Sequence, residues 1–99
     1  MDFDWDSANI EHIARHHVTP EEAEEVIQND PLDAPAELRN SEKRTVHLGE
    51  TDAGRVLVVV VTERNVMYRV VTARPAKKKE RAFYSKHKAA NNVQDPTDP

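Results

Sequence analysis

The sequence predicts an α+β domain with an N-terminal αα-hairpin, an antiparallel sheet of three to four strands and a C-terminal helix. The main observation is the segment RVLVVVVTERNVMYRVVTAR at residues 55–74, where two runs rich in β-branched residues flank the triplet Glu63-Arg64-Asn65. This pattern predicts two antiparallel strands joined by a short turn. The first run is apolar in both alternating sets of side chains, so we expect its strand to be central and covered on both faces. A second observation is the strong helix start at residues 19–22, Thr-Pro-Glu-Glu.

The N-terminal residues predict a short extended piece followed by a helix. Phe3 and Trp5 alternate with aspartates, and we expect both rings to close one end of the core. Asp6 or Ser7 can cap a helix over residues 8–16, because side chains suited to burial recur at the spacing i, i+3, i+4, i+7. These positions are Ile10, Ile13, Ala14 and His17.

Thr19 is the predicted N-cap of the second helix, with Pro20 at the first helical position and Glu22 closing a capping box. The helix extends to about Gln28 and is ended by the Asn-Asp-Pro run at residues 29–31. A short turn separates the two helices, which predicts an αα-hairpin. The residues that this second helix is expected to bury are Ala23, Val26 and Ile27.

The middle of the chain predicts a loop, a strand and a hairpin connection. Residues 31–43 contain two prolines and mostly polar side chains, so we expect a loop. Residues 44–48 alternate between polar and apolar side chains and predict the first strand of the sheet. Residues 49–54 begin and end with glycine, which is typical of a hairpin loop.

The last third of the chain predicts a helix and a tail. Pro75 ends the second strand of the central hairpin, and residues 76–88 read as a helix that starts at this proline. The residues that follow offer little to pack against a core. The sequence therefore predicts a single domain at residues 1–88 and a disordered tail at residues 89–99.

Composition excludes several classes of function. The chain has no cysteine, so it forms neither disulfides nor thiolate metal sites. No apolar run approaches the roughly 18 residues of a membrane span. The acidic N-terminus has neither a basic lead nor an apolar signal segment. We therefore expect a soluble cytoplasmic protein that makes no contact with a membrane.

The net charge of −4 conceals a strong asymmetry along the chain. Residues 1–54 hold four Lys/Arg against fourteen Asp/Glu, whereas residues 55–88 hold ten against two. One interpretation is that the basic half meets an anionic partner. The other is that the two halves neutralise each other in the fold. Composition alone leaves both interpretations open.

A series of short motifs occurs along the chain in a definite order. They are Trp5-Asp6, Asn9, His16, Glu21-Glu22-Ala23, Gly54-Arg55, Thr62-Glu63-Arg64, Thr72-Ala73-Arg74, and Glu80-Arg81 followed by Tyr84. Over residues 3–84 this series resembles the BrnT family of bacterial toxins. The chain departs from the family pattern at residues 15–17, where Arg-His-His replaces Lys-His-Gly, and at Pro75, where the family usually has a lysine.

The resemblance implies a RelE-like fold and a ribonuclease toxin of a type II toxin–antitoxin pair, whose RNA cleavage stops translation. The implied partners are the RNA substrate and a cognate ribbon-helix-helix antitoxin of the BrnA-like kind. Contact with operator DNA is implied only through that antitoxin. A homodimer and a heterotetramer with the antitoxin both stay open, and no cofactor is implied.

RNA cleavage without a metal requires stabilisation of charge on the phosphorane oxygens and a transfer of protons. A forked guanidinium suits the first task, so Arg64 and Arg74 are the predicted catalytic arginines. His16 is the candidate acid or base, because imidazole is a common proton-transfer group. Tyr84 is a further catalytic candidate. The predicted RNA and phosphate contacts are Thr62, Lys77, Lys78 and Arg81.

Each of these assignments has a plainer alternative. An exposed arginine is often only a surface ion pair, a run of lysines is often a solvated helix face, and a tyrosine is often a core residue. His12 and His16 are four residues apart on one helix, but no third metal ligand is evident, so we expect no metal site. In an extended second strand, Arg64 and Arg74 would stand about 25 Å apart at about 3.3 Å per residue. One phosphate cannot then contact both, so either the two arginines hold successive phosphates or the turn folds back.

The sequence thus favours a small ribonuclease toxin held inactive by its antitoxin. A different class is a binding module of the same fold that has lost strong catalysis and acts only within an antitoxin–DNA repressor complex. Pro75 in place of the family's lysine favours this second interpretation. A third is a housekeeping RNA-binding domain that has no partner protein.

Overall fold

The computed structural model describes residues 2–35 and 42–92 of the chain. It confirms the α+β class and shows one antiparallel sheet of four strands in the order β1-β2-β3-β4. The elements in chain order are α1 (Ser7–Ala14), α2 (Pro20–Gln28), β1 (Leu32–Pro35), β2 (Arg44–Glu50), β3 (Val56–Arg64), β4 (Met67–Pro75) and α3 (Lys78–Asn92).

The two N-terminal helices begin with the caps that the sequence predicts. Asp6 caps α1, and its side chain accepts from the backbone amides of Ala8 and Asn9. Thr19 caps α2 and forms the predicted capping box with Glu22. Helix α1 ends two residues earlier than expected, because the chain turns after Ala14 and reaches a left-handed conformation at His17, with φ of 61°.

Strand β3 is central, as predicted, and lies between β2 and β4. Its core-side residues Leu57, Val59 and Val61 are buried together with Val70 and Ala73 of β4. The helices supply the rest of this core cluster, which includes Ile13, Val18, Ala23 and Val26. Helix α1 packs mainly on β4, and α2 packs on β2 and β3. The description of α1 and α2 as an αα-hairpin stays a prediction.

The predicted loop at residues 31–43 was wrong in part, because residues 32–35 form strand β1. This strand pairs antiparallel with β2, with Leu32 opposite Leu48. Gly49, expected in a hairpin loop, lies instead inside β2. A Cβ atom on Gly49 would stand 2.8 Å from Cβ of Pro31, so the glycine lets the start of β1 approach the sheet.

The central hairpin turns two residues later than predicted. Glu63 and Arg64 belong to β3, and the loop consists of Asn65 and Val66. Both loop residues have positive φ, 55° and 57°, which is the pattern of a two-residue type I′ turn. Arg64 is therefore the last residue of a strand, and this fixes the face of the sheet from which its side chain projects.

The two chain ends also differ in detail from the predictions. Phe3 and Trp5 pack against the core, as expected, and Phe3 forms a single bridge with Tyr68 rather than a strand. Helix α3 begins at Lys78 rather than residue 76 and extends to Asn92, four residues beyond its predicted end. The rest of the predicted tail, residues 93–99, lies outside the described residues. In the described ranges, none of the helices is long and apolar enough to cross a membrane.

Candidate functional site

Strand register divides the sheet into two faces of different chemistry. Residues directly opposite each other in antiparallel strands share a face. Val59 opposes Ala73 on the core side, whereas Thr62 opposes both Arg44 of β2 and Arg69 of β4 on the other side. We call the second side the arginine face. Its four arginines are Arg44, Arg64, Arg69 and Arg74.

Three of these arginines meet at the end of the sheet next to the β3–β4 turn. Arg44 and Arg64 share one carboxylate, with Nη2 atoms 3.2 Å and 3.4 Å from Glu42 Oε2 and Oε1. Arg69 is less accessible and pairs with two carboxylates, Asp4 at 3.4 Å and Asp6 at 3.0 Å. The Arg64 side chain is 53% exposed, so it is the most accessible guanidinium of the three.

These pairings shift the pKa values of their members. The hydrogen bond from Arg69 is the largest cause that lowers the pKa of Asp6, and the same bond raises the pKa of Arg69. The hydrogen bond from Arg44 is the largest cause that lowers the pKa of Glu42, and Arg64 adds to it. Asp6 and Glu42 are therefore ionised at neutral pH.

A small pocket of about 270 Å³ opens between α1 and this end of the arginine face. Its lining includes His12 of α1 together with Arg44, Arg64 and Arg69. The Nε2 atom of His12 lies 3.1 Å from the hydroxyl oxygen of Thr72, which holds the ring against β4. The sequence interpretation did not assign a function to His12, although its position one helical turn before His16 placed both rings on one helix face.

His16, the predicted acid or base, lies in the turn after α1. Its imidazole meets the ring of His12 edge to face, with ring centres 5.7 Å apart. It does not line the small pocket in the described part of the chain. The structure therefore brings His12, rather than His16, to the arginines.

The other end of the arginine face contains Arg74 and Glu80. The Nη1 and Nη2 atoms of Arg74 each donate to one oxygen of Glu80 at 2.8 Å, which is a bidentate pair. Glu80 also accepts from the backbone amide of Lys77 at 2.7 Å. The hydrogen bond from Arg74 is the main cause that lowers the pKa of Glu80 to about 2, and it raises the pKa of Arg74. A carboxylate this acidic is a poor general base.

The remaining predicted site residues occupy varied positions. Thr62 is 3% exposed, and its hydroxyl donates to the carbonyl of Lys43 at 2.8 Å, so it has a structural partner. Tyr84 is 5% exposed, and burial is the largest cause that raises its pKa, with Glu50 and Asp30 adding to it. Exposed side chains beside Arg74 are Lys77, Lys78 and Arg81.

Arg64 and Arg74 lie at opposite ends of the central hairpin. Arg64 opposes Met67, whereas Arg74 opposes Val58. Val58 and Arg64 are six positions apart on β3, which corresponds to about 20 Å at about 3.3 Å per residue. The two arginines therefore cannot bind the same phosphate, and any common ligand must extend along the face.

A larger pocket of about 650 Å³ adjoins the same end of the sheet and shares Glu42 and Arg64 with the small one. Its other lining residues include Asp33, Glu63 and His47. Burial lowers the pKa of His47, while nearby Asp33 opposes that shift. Because three carboxylates line this pocket, it suits a polyanion less well than the small pocket does. Across residues 2–35 and 42–92, no three His, Cys, Asp or Glu side chains group as a metal site would require.

The family comparison agrees with the resemblance in the sequence. The family model of the ribonuclease toxin BrnT, of type II toxin–antitoxin systems, matches residues 5–80. The chain belongs to the BrnT toxin family. A search of curated proteins finds no match. Membership in the family supports ribonuclease activity at the family level, together with an RNA substrate and an antitoxin partner.

Several residues of the BrnT motif series have structural roles in this chain. Trp5 Nε1 donates to Glu24 of α2 at 2.7 Å, and Asp6 caps α1. Buried Asn9 donates to the carbonyls of Asp4 and Val70 and accepts from the amide of Asp6. Glu22 closes its capping box and also pairs with Arg55 at 3.0 Å. These motif positions hold the helices on the sheet.

Proposed function

We propose that this chain is a metal-independent endoribonuclease toxin that is neutralised by a ribbon-helix-helix antitoxin. In the reaction, the 2′-hydroxyl of a nucleotide attacks the adjacent phosphate, giving a cyclic phosphate and a free 5′-hydroxyl. Guanidinium groups stabilise the charge that develops on the phosphate oxygens, and a positioned side chain accepts the 2′-hydroxyl proton.

The observation that carries this proposal is the row of arginines on one sheet face of a BrnT-family chain. Arg44, Arg64 and Arg69 come from three adjacent strands and surround Thr62. A basic row on a sheet suits a backbone that carries one phosphate per nucleotide. We further propose that Arg74 binds another phosphate of the same strand, since it lies about 20 Å from Arg64 along the face. The exposed lysines 77 and 78, which follow Arg74 closely in the chain, would bind further phosphates.

The remaining features of the proposal follow from the family. The architecture, with two N-terminal helices and a C-terminal helix around an antiparallel sheet, supports a RelE-like fold and an αα-hairpin. The antitoxin would cover the arginine face, keep RNA from it and make the only contact with operator DNA. A heterotetramer of two toxins and two antitoxins, or a toxin homodimer, are the assemblies to be tested.

A direct test is cleavage of RNA by the purified chain in the presence of excess EDTA. We expect RNA fragments that end in a cyclic phosphate, and a loss of cleavage in folded Arg64→Ala and Arg74→Ala variants. Induced expression in a bacterial host should arrest growth with loss of RNA, and the antitoxin should restore growth. Intact RNA and normal growth at good soluble expression would disprove an active toxin.

The binding module remains a second candidate because of a specific observation. Each arginine of the arginine face is already paired with a carboxylate of the chain itself, namely Glu42, Asp4 and Asp6, or Glu80. Such pairing is compatible with a scaffold that needs no substrate. Operator binding by the toxin–antitoxin complex without RNA cleavage by the free toxin would favour this candidate.

A further inference from the structure

We propose that the scissile phosphate binds in the small pocket between α1 and the arginine face, and that His12 accepts the 2′-hydroxyl proton there. This inference rests on the proposed function, because it assigns the site and the proton-transfer residue of the same RNA cleavage. Arg44 becomes a second phosphate ligand beside Arg64, and His12 takes the acid–base role that the sequence assigned to His16.

Strand register places the phosphate ligands. Thr62 opposes Arg44 on one neighbouring strand and Arg69 on the other, so all three side chains share a face. Arg64 is two residues beyond Thr62 on β3, and it therefore projects from the same face. The three guanidinium groups converge on the pocket from three strands.

The arginines at this site share their carboxylates unequally. Arg69 pairs with Asp4 and Asp6, whereas Arg44 and Arg64 share Glu42 among residues 2–35 and 42–92. The three arginines are balanced by three carboxylates across the whole cluster, but Arg44 and Arg64 share a single carboxylate, and Arg64 is half-exposed. The Nε atom of Arg44 is also buried without a hydrogen-bond partner in the described part of the chain. A phosphate would provide acceptors for both arginines.

Glu42 competes with the substrate for Arg64 only weakly. Their contact is long, at 3.4 Å, and involves a single nitrogen of a half-exposed side chain. Exposed ion pairs of this kind contribute little free energy. A phosphate that offers two oxygens to the guanidinium fork can replace this contact.

His12 is positioned for proton transfer. Its Nε2 atom contacts Thr72 Oγ1 at 3.1 Å, and Thr72 opposes Val60, two positions before Thr62 on the same face. This separation is about 7 Å along the strand, at about 3.3 Å per residue. The imidazole thus borders the proposed phosphate position without occupying it. It is the one imidazole among the residues that line the pocket in the described chain.

The proposed step balances in atoms and protons. Neutral His12 takes the proton of the 2′-hydroxyl while the 2′-oxygen forms a bond to phosphorus. The bond between phosphorus and the 5′-oxygen then breaks, and the leaving oxygen takes a proton from water. The imidazolium returns its proton to water, and the arginines stabilise the extra charge on the phosphorane oxygens.

The test compares cleavage and binding in one set of full-length chains made by cell-free synthesis. The substrates are a short RNA and an all-deoxy oligonucleotide of the same sequence, which binds but cannot be cleaved. The variants are His12→Gln, His16→Gln, Arg44→Ala and Glu42→Gln, with His87→Gln as control. His87 lies on the exposed surface of α3, where its ring stacks on Phe83.

We expect His12→Gln to cleave RNA about 10² to 10⁴ times more slowly than the wild type, because it lacks the general base. Its affinity for the deoxy oligonucleotide should stay within about twofold of the wild type, because the phosphate ligands remain. Arg44→Ala should lose affinity, because it removes a phosphate ligand. Glu42→Gln should gain affinity, because it removes the competing charge. His87→Gln should behave as the wild type in both assays.

The outcomes separate the inference from the proposed function. The role of His12 is overturned if folded His12→Gln cleaves RNA at the wild-type rate, or if only His16→Gln loses cleavage. Either result leaves the proposed nuclease activity intact. Unchanged affinity in Arg44→Ala overturns the phosphate site. Absence of wild-type cleavage overturns the proposed function, and the role of His12 with it. If His12→Gln does not fold, Thr72→Val tests the role of His12 instead. Because this variant lacks the hydroxyl that contacts His12, it should cleave RNA more slowly and bind the deoxy oligonucleotide as the wild type does.

Discussion

Four non-glycine residues among those described have positive φ, and two of them, Val66 and His17, lack the short polar side chain that Asp30 and Asn65 have. Val66 has a φ of 57° and His17 a φ of 61°. A residue with a Cβ atom is strained by roughly 1–2 kcal/mol in this left-handed region. Glycine would fit the backbone better at both positions. A type I′ turn prefers Asn-Gly, and Val66 occupies the position of this glycine. The BrnT pattern has glycine at the position of His17.

Replacement of Val66 by glycine should stabilise the protein. Val66 is 85% exposed, so the change removes strain without loss of burial. We expect a gain of about 1 kcal/mol in the free energy of unfolding, measured by urea denaturation. Val66→Ala is the matched control, because it shortens the side chain and keeps the Cβ atom. Equal effects of glycine and alanine would contradict the explanation by backbone strain.

His17→Gly should also stabilise the fold. The His17 side chain is exposed, and its carbonyl, which accepts from Arg55 Nη1 at 2.7 Å, is kept in the variant. We expect a gain of about 0.5–1 kcal/mol, since the relief of strain exceeds the entropy of a more flexible unfolded chain. His17→Ala should show no comparable rise in the urea midpoint. A stabilising alanine would indicate that the imidazole itself is unfavourable.

At the scale of secondary-structure elements, single polar residues join helices to the sheet. Asn9 connects α1 to β4 through its bond to the carbonyl of Val70 at 3.2 Å. Arg55, just before β3, joins the start of α2 through Glu22. Glu80 joins the start of α3 to Arg74 near the end of β4. Each helix of the described chain therefore has a polar attachment in addition to its apolar contacts.

Asn9→Ala should destabilise the attachment of α1. The substitution leaves a backbone carbonyl of Val70 without its side-chain partner in a buried position, and it removes two further hydrogen bonds. We expect a loss of about 2–4 kcal/mol in the free energy of unfolding. Glu11→Ala, on the exposed side of the same helix, should change it by less than about 0.5 kcal/mol. Similar losses in the two variants would mean that Asn9 is not the anchor of α1.

The Glu80→Gln variant should show how the ion pair with Arg74 makes the free energy of unfolding depend on pH. The pKa of Glu80 falls from 4.5 to about 2 on folding, so ionised Glu80 stabilises the native state above pH 4.5. This contribution is lost as the pH falls from about 4.5 towards 2, where the carboxyl protonates in both states. We expect wild type to be more stable than Glu80→Gln by about 1 kcal/mol at pH 7, and the difference to shrink as the pH falls to 2. A difference that is constant between pH 7 and pH 2 would refute this linkage.

At the scale of the whole molecule, the charge asymmetry is partly neutralised within the fold and partly left exposed to an anionic partner. Several ion pairs join the basic part of the chain to its acidic part, and they neutralise much of the asymmetry. These pairs are Arg55–Glu22, Arg64–Glu42, Arg69–Asp4, Arg69–Asp6 and Lys88–Asp30. Exposed Lys77, Lys78 and half-exposed Arg64 remain available for an anionic partner.

Binding of a nucleic acid should therefore depend on salt through a small number of contacts. For the deoxy oligonucleotide, we expect the logarithm of the binding constant to fall linearly with the logarithm of salt concentration. Arg64→Ala should reduce this slope by about 0.7, the value for one phosphate contact on a single strand. Lys86→Ala, on the exposed surface of α3, should leave the slope unchanged. Equal slopes in wild type and Arg64→Ala would exclude Arg64 as a phosphate ligand.

The local parts of this fold were predictable from the sequence because nearby residues determine them. The capping box of Thr19 and Glu22 fixes the start of α2, and the alternating valines fix β3 as a strand covered on both faces. The motif order from Trp5 to Tyr84 was sufficient to place the chain in the BrnT family. It was also sufficient to select Arg64 and Arg74 as the arginines to test.

Strand β1 and the turn at Asn65–Val66 were missed because local sequence signals point elsewhere. Two prolines in residues 31–43 argue for a loop, yet Leu32 and its neighbours find backbone partners on β2, which would be an edge strand without β1. Glu63-Arg64-Asn65 is the most polar segment of the hairpin, yet the strand pairing continues to Arg64 opposite Met67. In both cases hydrogen bonding to a neighbouring strand outweighs the preference of the local sequence.

The sequence by itself determined the fold class, the caps of the two N-terminal helices, the central strand and the family. Only the tertiary structure decided which charged residues meet. Arg44, Arg64 and Arg69 are separated along the chain and converge because the register of β2, β3 and β4 places them around Thr62. His12 reaches this cluster because Asn9 fixes α1 against β4. Such juxtapositions depend on strand pairing and helix docking between distant segments, for which a single sequence contains no spacing rule.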